Sequence, residues 1–158
     1  MKIPKRMFFR LLRFWPPYLG AGIRVTSIAE DFSSFEVEMK LRWYNRNYVG
    51  THFGGSLYSM ADPYFMLILI ERLGRDWIVW DKAATIRFRK PGRGTVRARF
   101  ELSEEEIEKI RRDAEREGKI EPVFHARILD EGGDVVAEIE KVLHIRRKKR
   151  SVSSGGPE

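Results

Sequence analysis

The stretch Asn47–Asp62, NYVGTHFGGSLYSMAD, joins a polar, glycine-rich loop to the start of an apolar helix. From Ser56 onward Leu57, Met60, Ala61, Tyr64, Phe65, Ile68 and Leu73 recur at spacings of three or four, and Leu67, Leu69 and Ile70 fill the remaining faces. A helix that is apolar nearly all round is one buried nearly all round. Gly54 and Gly55 at its start let a ligand approach the backbone closely. First-turn N–H groups have no intrahelical acceptor and sit at the positive end of the helix dipole. Gly54, Gly55 and Ser56 therefore form a candidate cradle for a developing oxyanion. Asp62 is the one charged residue between Ser56 and Ile70. A carboxylate on a buried helix needs a partner, an aqueous cleft or a chemical task; alternatively it caps a new helical turn at Pro63. His52, Asn45 and Asn47 gather further polar groups on the loop, where a histidine serves structure as readily as catalysis.

The flanking sequence supplies a sheet for that helix. Gly22–Ile28 reads as a first strand, and Phe35, Val37, Met39 and Leu41 alternate with Glu36, Glu38, Lys40 and Arg42 in a second, half-wet one. After Gly74 come strands over Ile78–Lys90 and Thr95–Leu102, joined by Pro91-Gly92-Arg93-Gly94. Ser103 with Glu106 marks a capping box before a charged helix that Gly118 ends. Val123–Leu129 and Val135–Ile145 form a last hairpin around Asp130-Glu131-Gly132-Gly133. Upstream, Lys5–Trp15 mixes basic and apolar residues at helical spacing and stops at Pro16-Pro17. Its Phe8, Leu11, Leu12 and Trp15 face is expected to pack on the body, with contact to a membrane surface as the lesser alternative. A mostly antiparallel sheet with a helix sealed against it is an α+β layer design.

Composition narrows the chemistry. At 158 residues, 42% hydrophobic, the chain suits one packed domain. It has no cysteine, which excludes disulfides, thiolate nucleophiles and thiolate metal sites. The net charge of +7 resides at the ends, in Lys2, Lys5, Arg6, Arg10, Arg13 and Arg146–Arg150. A duplex-binding domain more often carries a basic stripe on its folded face, so no nucleic-acid partner is expected. His125 and His144 lie on strand patterns and read as structural; the three histidines have no metal-ligand spacing, and no metal is expected. No secretory signal pattern is evident at the N-terminus, and Leu57–Ile70, interrupted by Asp62 and Pro63, is too short to span a bilayer. A cytoplasmic protein is the default expectation.

Asn47, the Gly54-Gly55 pair and Asp62 resemble, in identity and spacing, the signature of hotdog-fold thioesterases of the phenylacetate-degradation type. The likeness covers roughly residues 15–147, includes the Pro91-Gly92 turn, and is nearest to a branch marked by Thr51-His52-Phe53-Gly54-Gly55 and Ala61-Asp62-Pro63. It implies a hotdog domain over residues 18–146, preceded by the amphipathic helix of residues 1–17 and followed by a basic, disordered tail at 147–158. It further implies a homodimer joined edge to edge, also assembled as a dimer of dimers, with active sites at the subunit interface. The substrate would be an acyl-CoA, with no cofactor beyond the coenzyme A it carries. In that scheme Gly54 or Gly55 polarises the thioester carbonyl, Asp62 of the other subunit is general base or nucleophile, and Asn47 holds water or carbonyl. Asp81 falls where such enzymes place a hydroxyl that orients the water. Arg87, Arg89, Lys90 and Arg93 are the cations available for coenzyme A phosphates. Two departures stand out: Phe53 precedes the glycines where the signature has His, displacing His52 by one residue, and Pro63 must kink or restart the helix. A dimer that binds acyl ligands without hydrolysing them is the second reading. A surface-association role for the basic ends is the third.

Overall fold

A computed structural model describes residues 5–148; the tail expected to be disordered lies almost wholly outside them. The N-terminal segment is not one helix. Helix α1 (Lys5–Leu11) gives way to a 3-10 turn at Leu12–Phe14, and α2 (Pro16–Ala21) follows. Trp15 is extended, at φ −64° and ψ 130°, as a residue before proline prefers. Pro16 and Pro17, expected to terminate a helix, also start one, because their missing N–H groups fall where no acceptor exists. The buried face also differs from the one expected. Phe9 is the buried residue of α1 and Leu12 is partly buried, whereas Phe8, Leu11 and Trp15 face solvent. Phe9 packs edge-on against Phe32 and Phe35.

Strands β1 (Ile23–Ile28), β2 (Ser34–Lys40), β3 (Trp77–Phe88), β4 (Thr95–Glu101), β5 (Lys119–Ile120), β6 (Val123–Leu129) and β7 (Val135–Arg147) make one sheet in the order β1-β2-β4-β6-β7-β3, with β5 also on β7. Every pairing is antiparallel. The sequence-adjacent β3 and β4 are therefore not neighbours, and β3 forms one edge, far from β1 at the other. Helices α3 (Gly54–Ala61) and α4 (Tyr64–Leu73) lie on one face of the sheet, and α5 (Glu104–Glu117) packs beside α4 and β7. The core between them includes Met60, Tyr64, Ile68 and Leu69 from the helices and Phe35, Met39, Phe100, Ile128 and Leu143 from the strands, all fully buried.

The central helix begins at Gly54, two residues before Ser56, and is interrupted where Pro63 was expected to disturb it: α3 stops at Ala61 and α4 restarts at Tyr64. Asp62 sits at that junction. Within β3 a bulge shifts the register between Asp81, opposite Leu143, and Ala83, opposite Val142. One extra residue changes which face the following side chains take. The bulge thus puts Asp81, paired with inward Leu143, on the same face as Ile86 and Phe88, paired with Ile139 and Ala137.

The Ser103 capping box is formed: Ser103 Oγ accepts from Glu106 N at 3.2 Å, and Glu106 Oε2 accepts from Ser103 N at 2.8 Å. Removing it by Ser103→Ala is expected to cost about 1 kcal/mol, read as a lower urea midpoint at unchanged slope.

Candidate active site

Strand β7 sends Ala137, Ile139, Lys141, Leu143 and Ile145 toward the helices, so a lysine occupies a position its neighbours fill with apolar side chains. Its side chain is 1% exposed, and its ammonium lies 3.0 Å from Asp62 Oδ1 and 3.0 Å from Asp81 Oδ2. A cation this deep must be paired, and two carboxylates compensate it with one negative charge to spare. Burial pulls the ammonium pKa down, but the hydrogen bonds to both aspartates outweigh it and hold Lys141 above the usual lysine range. Burial pushes the Asp81 carboxyl up, with Lys141 opposing. Its Oδ1 is buried without a hydrogen-bond partner among the described residues.

Asp62 differs from Asp81 in exposure. Its side chain is 49% exposed, so it is anchored from within and open to water from without. It does not cap the restarted helix, since no side-chain hydrogen bond caps α4. One turn earlier on the same helix face, the Tyr58 ring lies 5.5 Å from the Lys141 ammonium. Burial raises the pKa of the Tyr58 hydroxyl, and the adjacent Asp62 carboxylate adds to the effect. Neither Lys141 nor Tyr58 was singled out from sequence. The signal for Lys141 was there, as a charge in phase with Ala137, Ile139, Leu143 and Ile145.

At the other end of α3, the N–H groups of Gly54 and Gly55 meet no backbone acceptor among the described residues, as expected of a helix start. Ser56 does not share that role: its N–H donates to Phe53 O at 3.0 Å. The glycines also have a packing reason. A Cβ on Gly54 would stand 2.9 Å from the Phe88 ring, and one on Gly55 would stand 2.5 Å from the Phe53 ring. Eight residues separate Gly54 from Asp62, about 12 Å of helix rise. Within one protomer the two cannot address the same carbonyl group.

The loop residues are occupied with one another. Asn47 Oδ1 accepts from the N–H groups of Val49 and Thr51, and Nδ2 donates to Thr51 Oγ1 and His52 O. That uses the side chain fully within its own turn, leaving nothing to hold a water or a carbonyl. His52 is buried, 3.1 Å from Gly94 O through Nε2, with its backbone N–H on Gly92 O. It pins the loop to the Pro91–Gly94 turn, and burial lowers its pKa against the opposing Gly94 carbonyl, favouring neutral imidazole. Asn45 is likewise structural, tying Ala21 O, Lys40 O and Arg42 N together.

The expected phosphate-binding cations do not converge on Asp62. Arg87 stands opposite Glu138 and lines a trough of about 940 Å3 with Glu36, Arg97, Arg99 and Arg127. Its parity along β3 places that trough on the sheet face away from the helices. Arg89 donates to Glu138 at 2.8 Å, and Lys90 pairs with Asp130 and Asp134 in the β6–β7 turn. Arg93 is exposed in the turn before β4, with no carboxylate partner among the described residues.

Known proteins bear on this geometry as follows. A family model described as a domain of unknown function, DUF4442, matches residues 4–145. No curated protein matches the chain. Among solved structures, a Pseudomonas aeruginosa protein of unknown function, called a probable thioesterase, is 24% identical with a TM-score of 0.79, covering 94% of this chain and 99% of that one. A Chlorobaculum tepidum protein of unknown function is 18% identical with a TM-score of 0.71, covering 90% and 94%. A Haemophilus influenzae thioesterase is 16% identical with a TM-score of 0.65, covering 93% of both. At these identities the likeness concerns the fold, which is the α+β hotdog architecture expected from the sequence. Among the described residues, no helix is long and apolar enough to cross a membrane.

Proposed function

The chain belongs to the DUF4442 family, and from that footing we propose that it is a hotdog thioesterase hydrolysing an acyl-CoA or related acyl thioester. The observation that carries the proposal is a water-accessible Asp62 held from behind by the buried Lys141. Lys141 takes up Oδ1, the Tyr58 hydroxyl stands beside the carboxylate, and among the described residues Oδ2 makes no ion pair. A carboxylate fixed by Lys141 at one oxygen and half exposed to solvent is suited to take a proton from a water. The water attacks the thioester carbonyl carbon, and the negative charge gathers on the carbonyl oxygen. Free N–H groups of Gly54 and Gly55 stabilise that oxyanion. Collapse breaks the carbon–sulfur bond, Asp62 returns the proton to the departing thiolate, and the products are a carboxylic acid and a thiol. Direct attack by Asp62 through an acyl anhydride leads to the same products.

Because Gly54 and Asp62 of one protomer lie too far apart, the site is completed by a second copy. β3 supports this: it is a 12-residue strand at the sheet edge, with Ala83 and Ala84 exposed. Long open edges invite strand pairing. We take the protein to be a homodimer joined along β3, Gly54 of one subunit facing Asp62 of the other.

The second reading, an acyl-ligand binder without turnover, is favoured by one observation: Asn47 spends its side chain within its own loop, and His52 Nε2 is taken up by Gly94 O of the Pro91–Gly94 turn. A panel of acyl-CoAs, aliphatic and aromatic, assayed by thiol release, separates the two. The chain itself contributes no thiol background, having no cysteine. Thiol release with at least one member supports hydrolysis. Saturable binding without release across the panel supports the binder.

A further inference from the structure

The N-terminal segment and the loop after β2 present a surface that the site does not use. Phe8, Leu11, Phe14, Trp15 and Leu19 are all more than 40% exposed, although they lie on a segment anchored by the buried Phe9 and Tyr18. Trp43, 81% exposed, and Tyr44 adjoin them: Phe14, Leu19, Gly22, Arg42 and Tyr44 line one shallow depression with Arg13 and Arg24. Arg13 lies over the Phe14 ring at 4.5 Å. Large apolar side chains grouped this way mark an interaction surface more often than chance exposure.

The charged residues that line the depression, Arg13, Arg24 and Arg42, are all basic, although Glu38 stands opposite Arg24 on β2 and Lys5 and Arg6 of α1 meet Glu71 and Glu30. Arg10, Arg13, Arg24 and Arg42 have no carboxylate within ion-pair distance among the described residues, whereas the arginines of the sheet face are matched to glutamates, as Arg99 is to Glu36 and Arg97 to Glu38. We propose that this patch docks the protein on an anionic lipid bilayer, its aromatic rings entering the headgroup level and its arginines meeting phosphates.

Three features choose that occupant over others. Tryptophan, tyrosine and phenylalanine interleaved with arginine suit a boundary that is apolar below and phosphate-rich above. Guanidinium groups form bidentate bonds to phosphate oxygens. A second copy seated here about a twofold axis would bring the arginines against their own images, which is repulsive. The patch also sits at the β1 end of the sheet, while the edge assigned to the dimer is β3 at the other end, so docking and dimerisation do not compete. This surface and its occupant stand whether or not the chain is a thioesterase. Should it be one, α2 of the patch packs directly on α3 of the site.

The test is co-sedimentation of the full chain with vesicles of phosphatidylcholine alone and with phosphatidylglycerol added, at low and high salt. Brominated lipids serve as quenchers of tryptophan fluorescence. Binding to the phosphatidylglycerol vesicles, weakened by salt and accompanied by quenching, is the expected result. Phe14→Ser/Leu19→Ser and Arg10→Glu/Arg13→Glu each weaken it on the order of tenfold or more, the altered side chains being exposed and the far-ultraviolet spectrum unchanged. No sedimentation overturns the proposal. So does binding that survives both double variants, which assigns it to the basic tail. A variant that changes oligomer size by light scattering but not vesicle binding overturns it too, in favour of a second copy as the occupant.

Discussion

Asp62→Asn lowers kcat/KM for thioester hydrolysis on the order of 10²–10⁴-fold, the range lost when a positioned general base is removed. The substitution keeps the size of the side chain and an oxygen for Lys141 to bond, so the ammonium at 3.0 Å remains hydrogen-bonded, and Asp81 still neutralises it. Stability therefore falls by no more than ~1–2 kcal/mol, the scale of a weakened hydrogen bond to a charged group. The combination is diagnostic: rate lost, dimer and fold retained, substrate binding retained. Steady-state thiol release beside a urea denaturation curve reads both quantities. An unchanged rate with the true substrate removes Asp62 from the chemistry.

Lys141→Met has the larger effect on the fold, about 3–5 kcal/mol, because it removes one partner from a buried ion pair. Asp81 is then left with no cation, and its Oδ1 already lacks a hydrogen bond. Combining Lys141→Met with Asp81→Leu restores most of that loss, since an apolar pair of similar volume has no charge to strand. Turnover stays low in the double variant, Asp62 having lost its anchor. The pH dependence follows from Asp81. Burial raises its pKa, and removing Lys141 raises it further. Between the unfolded and folded pKa values the native state then binds more protons than the unfolded chain, so stability falls as pH rises through that window. The deficit of Lys141→Met is thus smaller at mildly acidic pH than at neutral pH.

The layer design was legible because it depends on periodicity. Val37 and Met39 against Glu36 and Glu38 show a one-sided strand, and Leu57, Met60, Ala61 and Tyr64 a buried helix. Asp62 was legible as a charge out of place, and Pro63 as a break. Lys141 was missed because strand β7 was read only for its extent, and its partner Asp81 lies 60 residues earlier, aligned by a β3 bulge that no local pattern announces. The same bulge decides which face of β3 looks toward the helices, and so places Arg87 opposite Glu138 on the far face. Asn47 and His52 resembled catalytic groups by identity. Which hydrogen bonds a side chain spends on its own loop is fixed by three-dimensional closure with the Pro91–Gly94 turn, not by spacing. In the N-terminal segment, Pro16 gave away the end of one helix but neither the 3-10 turn at Leu12–Phe14 nor the burial of Phe9 in place of Phe8.

A structure of the dimer bound to an acyl-CoA analogue, its thioester sulfur replaced by methylene, addresses the shared site directly. The expected arrangement has the ketone oxygen 2.7–3.1 Å from Gly54 N or Gly55 N of one subunit. The Asp62 carboxylate of the other subunit then lies within about 3–3.5 Å of the carbonyl carbon or of a water bound against it. Finding the carbonyl far from both glycines, or Asp62 turned away and covered by the partner, would contradict it.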